Sequence, residues 1–150
     1  MGISKIAAAV GKGLFAGLAG TAVMTVSSTL EAKLSGRGAS STPADAVKSA
    51  LGVETTSDIA EQRLNTVAHW GYGTGWGAVR GLLAAAGVRG PVAGLMHFTA
   101  VWGAEQVVLP SLDVGSPTWQ YGAKATATDV LHHVVYAAAT SAAYEWLERR

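Results

Sequence analysis

From Gly13 to Leu30 the chain runs for 18 residues without one ionisable side chain. As a helix, such a run rises about 27 Å at about 1.5 Å per residue, close to the hydrocarbon thickness of a bilayer. Lys5 resembles the charged start of a signal peptide, with an apolar stretch beginning at Leu14. No small-x-small cleavage site clearly closes that stretch, so it reads as a retained membrane anchor. Ile6 stands where a myristoylation signal after Met1-Gly2 wants Ser or Thr, and lipidation is not expected.

Three more uncharged runs follow: Leu64–Val79, Gly90–Ala104 and Val130–Tyr144, of 16, 15 and 15 residues. Each falls short of the ~18 residues that mark a span by themselves. A soluble bundle can also carry such runs on one face, but its opposite faces are charged. Residues 64–144 contain only six charges, and the whole chain is 14% charged against roughly 25% in ordinary soluble domains. The expected fold is therefore all-α: a four-transmembrane-helix bundle with a short surface helix between the first and second spans. The 150 residues form a single membrane domain, with spans near 8–30, 65–87, 91–109 and 125–146. A net charge of +1 offers no footprint for nucleic acid. With no cysteine there is no disulfide, thiolate metal site or thiol nucleophile.

Local signals divide the chain further. The first helix should cover about Ser4 to Lys33, with small residues spaced as Gly13-x-x-x-Gly17 and Ala16-x-x-x-Gly20. Glu31–Arg63 holds nine of the 21 charges and includes the flexible link Gly36–Ser41. Thr42 reads as an N-cap with Pro43 behind it, opening a surface helix that ends at Leu51 before Gly52. Thr56, Ser57 and Asp58 offer the next cap. The second span places Gly71, Gly73, Gly75, Gly77 and Gly81 in overlapping Gly-x-x-x-Gly pairs. Each glycine costs a helix in water about 1 kcal/mol relative to alanine, whereas in lipid such pairs make a close seam. A phosphate-binding glycine loop is not supported, because no strand precedes it and no Gly-Lys-Ser/Thr follows.

Gly87–Pro91 reads as a tight turn, and the third span should run from Pro91 to Leu109 and stop at Pro110. Residues 111–122 form a loop whose Trp119 and Tyr121 suit the headgroup level. The fourth span follows from about Lys124 to Trp146.

The segments Gly17–Thr25, His69-Trp70-Gly71-Tyr72-Gly73 and Asp129-x-x-His132-His133-x-x-Tyr136 together resemble a known family. It comprises small, functionally uncharacterised four-helix membrane proteins of actinobacteria, distantly similar to YagU-like inner-membrane proteins. That resemblance implies a multi-pass protein of the bacterial plasma membrane and supplies no catalytic residue.

Ionisable side chains in lipid cost roughly 2.5–3.5 kcal/mol each at a helix centre, so they turn inward and find partners. Counting from the turn at Val88-Arg89 puts Arg80 level with His97, and His69 level with Glu105. Asp129, His132 and His133, early in the last span, join the His69/Glu105 layer, and Glu31 reaches its edge. Asp129, His132, His133, Tyr136 and Thr140 share one helical stripe. Because neighbouring residues lie about 100° apart around a helix, His132 or His133 should point inward, not necessarily both.

Three uses compete for this layer. It can be a hydrogen-bonded lock on helix register, or a proton or small-solute path. It can also be a site for a metal ion or haem, with His69, Glu105, Asp129 and His132 as ligands. No cofactor is required by the pattern. No serine stands in a nucleophile elbow, so the balance leans away from an enzyme. The expected role is a structural, partner-binding or minor transport component, whose partners are the bilayer and other membrane proteins or further copies of itself. The alternative is a membrane-embedded metal or haem redox protein. Lys and Arg number six on the side of the termini and five on the other, so the positive-inside rule does not orient the bundle.

Overall fold

The computed structural model describes residues 2–150. Among them are five α-helices and no strand: α1 (Ile3–Ser35), α2 (Thr42–Leu51), α3 (Asp58–Ala85), α4 (Gly90–Ser111) and α5 (Ala123–Glu148). A single 3₁₀ turn, Thr118–Tyr121, lies in the segment read as loop. α1 and α4 are long and apolar enough to cross a membrane. α3 and α5 have the length, at 28 and 26 residues, but their glycines, histidines and other polar residues make them less apolar.

The helix ends follow local chemistry. Gly36 and Gly52 close α1 and α2 at φ 71° and 63°, left-handed values that a side chain would strain. The Ser57 hydroxyl caps α3 by accepting the Ala60 N–H. Two expected boundaries shift. Ser41 rather than Thr42 precedes α2, and its hydroxyl donates to Asp45 instead of capping. Pro110 lies inside α4 rather than after it. The helix closes beyond it because Leu112 N–H reaches back to Val108 O at 3.1 Å, a bond that the missing proline N–H does not interrupt.

Packing centres on α1, which lies between α3 and α5 and contacts both along its length. The α1–α3 seam is built from backbone. A Cβ on Gly17 would lie 2.8 Å from the Gly77 Cα, and one on Gly13 would strike the Gly77 carbonyl. Gly81 meets the Ala9 backbone in the same way, and Gly73 makes room for the Thr21 side chain. Gly71 and Gly75 face open space, so that half of the glycine pattern takes no part in the seam. Although the α3–α4 turn is short, α3 touches α4 far less than α1. The helix pair expected from the turn is therefore secondary, because α1 offers the small-residue surface that permits close approach.

Polarity runs inside out. The largest fully buried side chains are Arg80, Tyr136, Tyr144, His97, Thr21 and Thr140, all bearing polar atoms. Among the described residues no Leu, Ile, Met, Phe or Trp is buried, whereas Phe15, Val26, Val67, Leu95 and Val107 are each at least 65% exposed.

Both chain ends reach the same end of the bundle, where Lys12 Nζ pairs with Glu148 Oε1 at 3.0 Å. At the other end α2 docks on α3. The Asn65 side chain accepts the Ala44 N–H and donates to the Ser40 carbonyl, and Lys48 bridges Asp45 and Glu61 at 2.9 and 3.1 Å.

Candidate functional site

The densest group of ionisable side chains joins α4 to the start of α5, at the end away from the termini. Asp129 and His133 are four residues apart on α5 and share a face. His133 Nδ1 lies 3.0 Å from the Asp129 carbonyl oxygen and 3.3 Å from its carboxylate Oδ1. On the opposite side of the ring, Nε2 lies 2.9 Å from Glu105 Oε2 of α4.

The two contacts differ in kind. Nδ1 is placed to donate to Asp129, an arrangement that fixes the ring and leaves Nε2 turned toward Glu105. The Nε2–Oε2 contact is short but off the hydrogen-bonding direction, so the buried Oε2 has no hydrogen-bond partner. Asp129 is better served, for its Oδ2 accepts from Trp102 Nε1 at 2.7 Å and Thr118 Oγ1 at 3.1 Å. Gln106 in turn accepts from the Thr118 N–H and hydroxyl at 2.7 and 2.9 Å, tying the 3₁₀ turn to the same network.

Glu105, Asp129 and His133 each offer one ligand atom, and those atoms lie within 4.8 Å of one another. Two carboxylates with a protonated imidazole leave one negative charge in a half-buried place. With a neutral imidazole, a divalent cation would balance the pair.

His69 and His132, assigned to this layer from depth alone, belong elsewhere. His69 Nε2 meets Thr25 Oγ1 at 2.9 Å, and His132 Nδ1 meets Ser27 Oγ at 3.0 Å, both on α1. His132 also stands 3.7 Å from Glu31, whose carboxyl is held below its usual range first by Arg37 and then by Ser35. The expected ligand set His69, Glu105, Asp129 and His132 is therefore not assembled. Glu105, Asp129 and His133 come together instead. The reason is azimuth: the ~100° step between adjacent residues sends His132 to α1 and His133 to α4, so both point inward. His69 likewise lies on the face of α3 that meets α1.

The two residues of the second layer, Arg80 and His97, do not meet and have different neighbours. His97 is fully buried, with Nε2 against the Trp76 carbonyl at 3.1 Å and its ring 5.5 Å from that of Tyr136. Arg80, 1% exposed, donates to Ser141 at 3.3 Å and lies 4.5 Å from the Tyr144 ring centroid. Trp102, Thr118, Thr25 and Ser27 join these networks without having been expected as partners. Trp102 alone carried a signal, three residues before Glu105 and hence on its face. No protein-family model matches the chain, and neither a curated protein nor a solved structure does so.

Proposed function

We propose that this chain is a four-span protein of the bacterial plasma membrane, acting as a structural or partner-binding component whose buried polar groups lock the helices in register. The observation that carries this reading is the inverted polarity: large apolar side chains outside, and arginine, histidine, threonine and tyrosine inside. In water the largest aliphatic side chains would be the ones buried. In lipid they are free to face the solvent, and polar atoms must satisfy one another. Kinship with YagU-like inner-membrane proteins, suggested by the Gly17–Thr25 and Asp129–Tyr136 segments, is part of the same proposal. Reporter fusions at Gly2 and Arg150 test it, with both expected on one side of the membrane. Opposite sides, or a monodisperse chain without detergent, would refute it.

The Glu105–Asp129–His133 geometry favours a second reading, a membrane protein that holds a divalent metal at this cluster. Elemental analysis and an absorption spectrum of the purified protein separate the two. Stoichiometric metal lost in Glu105→Gln supports the site, a Soret band points to haem, and metal-free protein of full stability leaves the register lock.

A further inference from the structure

At the termini end of the bundle, α3, α4 and α5 border a cleft of about 280 Å³ lined by Arg80, Arg89, Tyr144, Glu145, Glu148 and Arg149 among others. Its chemistry is incomplete. Arg80 is 1% exposed, yet its Nη1 has no hydrogen-bond partner. The Tyr144 hydroxyl, on a side chain 1% exposed, has none either. An unmade bond on a buried charged donor is costly, so both groups call for an acceptor.

The carboxylates in the cleft do not supply it. Glu145 stays 3.8 Å from Arg80 Nη2 and 4.0 Å from Arg149 Nη2, beyond hydrogen-bond reach. Glu148 is engaged by Lys12 at 3.0 Å. Arg89 makes no ion pair among the described residues and stands at the N-cap of α4 without a side-chain cap. The first turn of that helix has no acidic residue to offset its N-terminal dipole, and Gly90 at its start lines the cleft.

We propose that this cleft is an anion site that takes a phosphate group, with Arg80 Nη1 and the Tyr144 hydroxyl donating at its floor and Arg89 at its rim. Arg80 lies five residues before the end of α3, roughly 8 Å at the helical rise, a depth at which a lipid headgroup phosphate would sit between the helices. Free phosphate offers the same oxygens. The lipid source rests on the membrane reading above; the anion site does not.

The full-length protein, purified without phosphate, is titrated with inorganic phosphate and reconstituted in phosphatidylcholine vesicles with or without phosphatidylglycerol. The expected result is a saturable rise in melting temperature with inorganic phosphate, phosphatidylglycerol or both. Arg89→Gln and Tyr144→Phe should each weaken the response about tenfold, as expected for one lost bond to a charged group. Arg80→Gln should abolish it, and the two milder variants keep the test decisive should that one misfold. Response to phosphatidylglycerol alone identifies the lipid source, and response to inorganic phosphate shows that the phosphate group suffices. A detergent-free soluble chain that still binds phosphate would end the membrane reading and leave the site. No saturable response to either source, or responses undiminished in Arg89→Gln and Tyr144→Phe, would overturn the proposal.

Discussion

Gly17 of α1 and Gly77 of α3 meet backbone to backbone, so close that a Cβ on Gly17 would lie 2.8 Å from the Gly77 Cα and equally close to the Thr74 carbonyl oxygen. Backbone cannot swing aside as a flexible side chain does, and the two helices would have to part.

Gly77→Ala and Gly17→Ala should therefore each cost about 1–3 kcal/mol, the usual range for overpacking. Gly75, two residues along the same helix, has nothing within 4 Å of its missing Cβ. Gly75→Ala should hold stability or raise it by up to about 1 kcal/mol, through better helix propensity. Thermal unfolding of the three variants in one detergent checks the contrast. Equal melting temperatures for Gly75→Ala and Gly77→Ala would mean the seam is misplaced.

A tryptophan reports on the carboxylate cluster. Trp102 Nε1 donates to Asp129 Oδ2, and Asp129 also holds the His133 ring. Asp129→Ala removes the Trp102 acceptor and the carboxylate beside the His133 ring, while the backbone carbonyl of residue 129 and Glu105 still face that ring. Losing one partner of a buried pair costs up to about 3–5 kcal/mol. The groups here are partly exposed, at 21% for Asp129 and 11% for His133, so about half that loss is expected. Trp102 emission should shift as its N–H loses its acceptor. An unchanged spectrum together with wild-type stability would show that the network is not formed.

Local breaks are legible in the sequence; the neighbour that each buried polar group faces is not. Caps and breaks sit where local chemistry puts them: Ser57 caps α3, Gly52 ends α2, and Gly87 and Gly90 take positive φ in the turn between α3 and α4. These depend on a few adjacent residues. The partners of His69 and His132 depend instead on where α1 lies, and α1 is distant from both in sequence. Counting helical rise from a turn gives a residue's height but not the neighbour it faces. A rotation of ~100°, the step from His132 to His133, exchanges one helix for another. Thr25 and Ser27 were invisible for a different reason, since a hydroxyl in an apolar run usually bonds its own helix.

Acidification should loosen α2, whose Asp45 carboxylate is held by Lys48 and Ser41 of its own turn. Lys48, and then Ser41, hold the Asp45 carboxyl below its usual range, and Asp45 followed by Glu61 raises Lys48. A carboxyl depressed in the folded state contributes stability above its unfolded pKa of about 3.9 and loses it as pH falls through the folded value. Lys48 stays charged throughout that window, so Asp45 sets the response. Amide exchange across residues 42–51 should quicken below about pH 4 while α1 and α3 stay protected. Protection of α2 that is flat down to pH 3 would mean that the Asp45 carboxylate adds nothing to the stability of that helix.

The Tyr136 hydroxyl donates to the Gly73 carbonyl at 2.6 Å, joining α5 to α3 beside the α1 seam. Tyr136 is 2% exposed, and Gly73 has no side chain that could hold another partner near its carbonyl. Tyr136→Phe keeps the ring, its packing against His97 and nearly all of its volume, and removes only the donor. The expected loss is about 0.5–1.5 kcal/mol, the net value of one such bond. Thr140 gives the useful comparison. Its hydroxyl is buried without a partner, so Thr140→Val deletes a polar atom that gains nothing from the fold and should stabilise or leave the bundle unchanged. Opposite signs in unfolding by heat or denaturing detergent would separate a polar group that joins helices from one that is merely enclosed. Equal losses from both would mean that volume at this three-helix contact, not the hydroxyl–carbonyl bond, sets its stability.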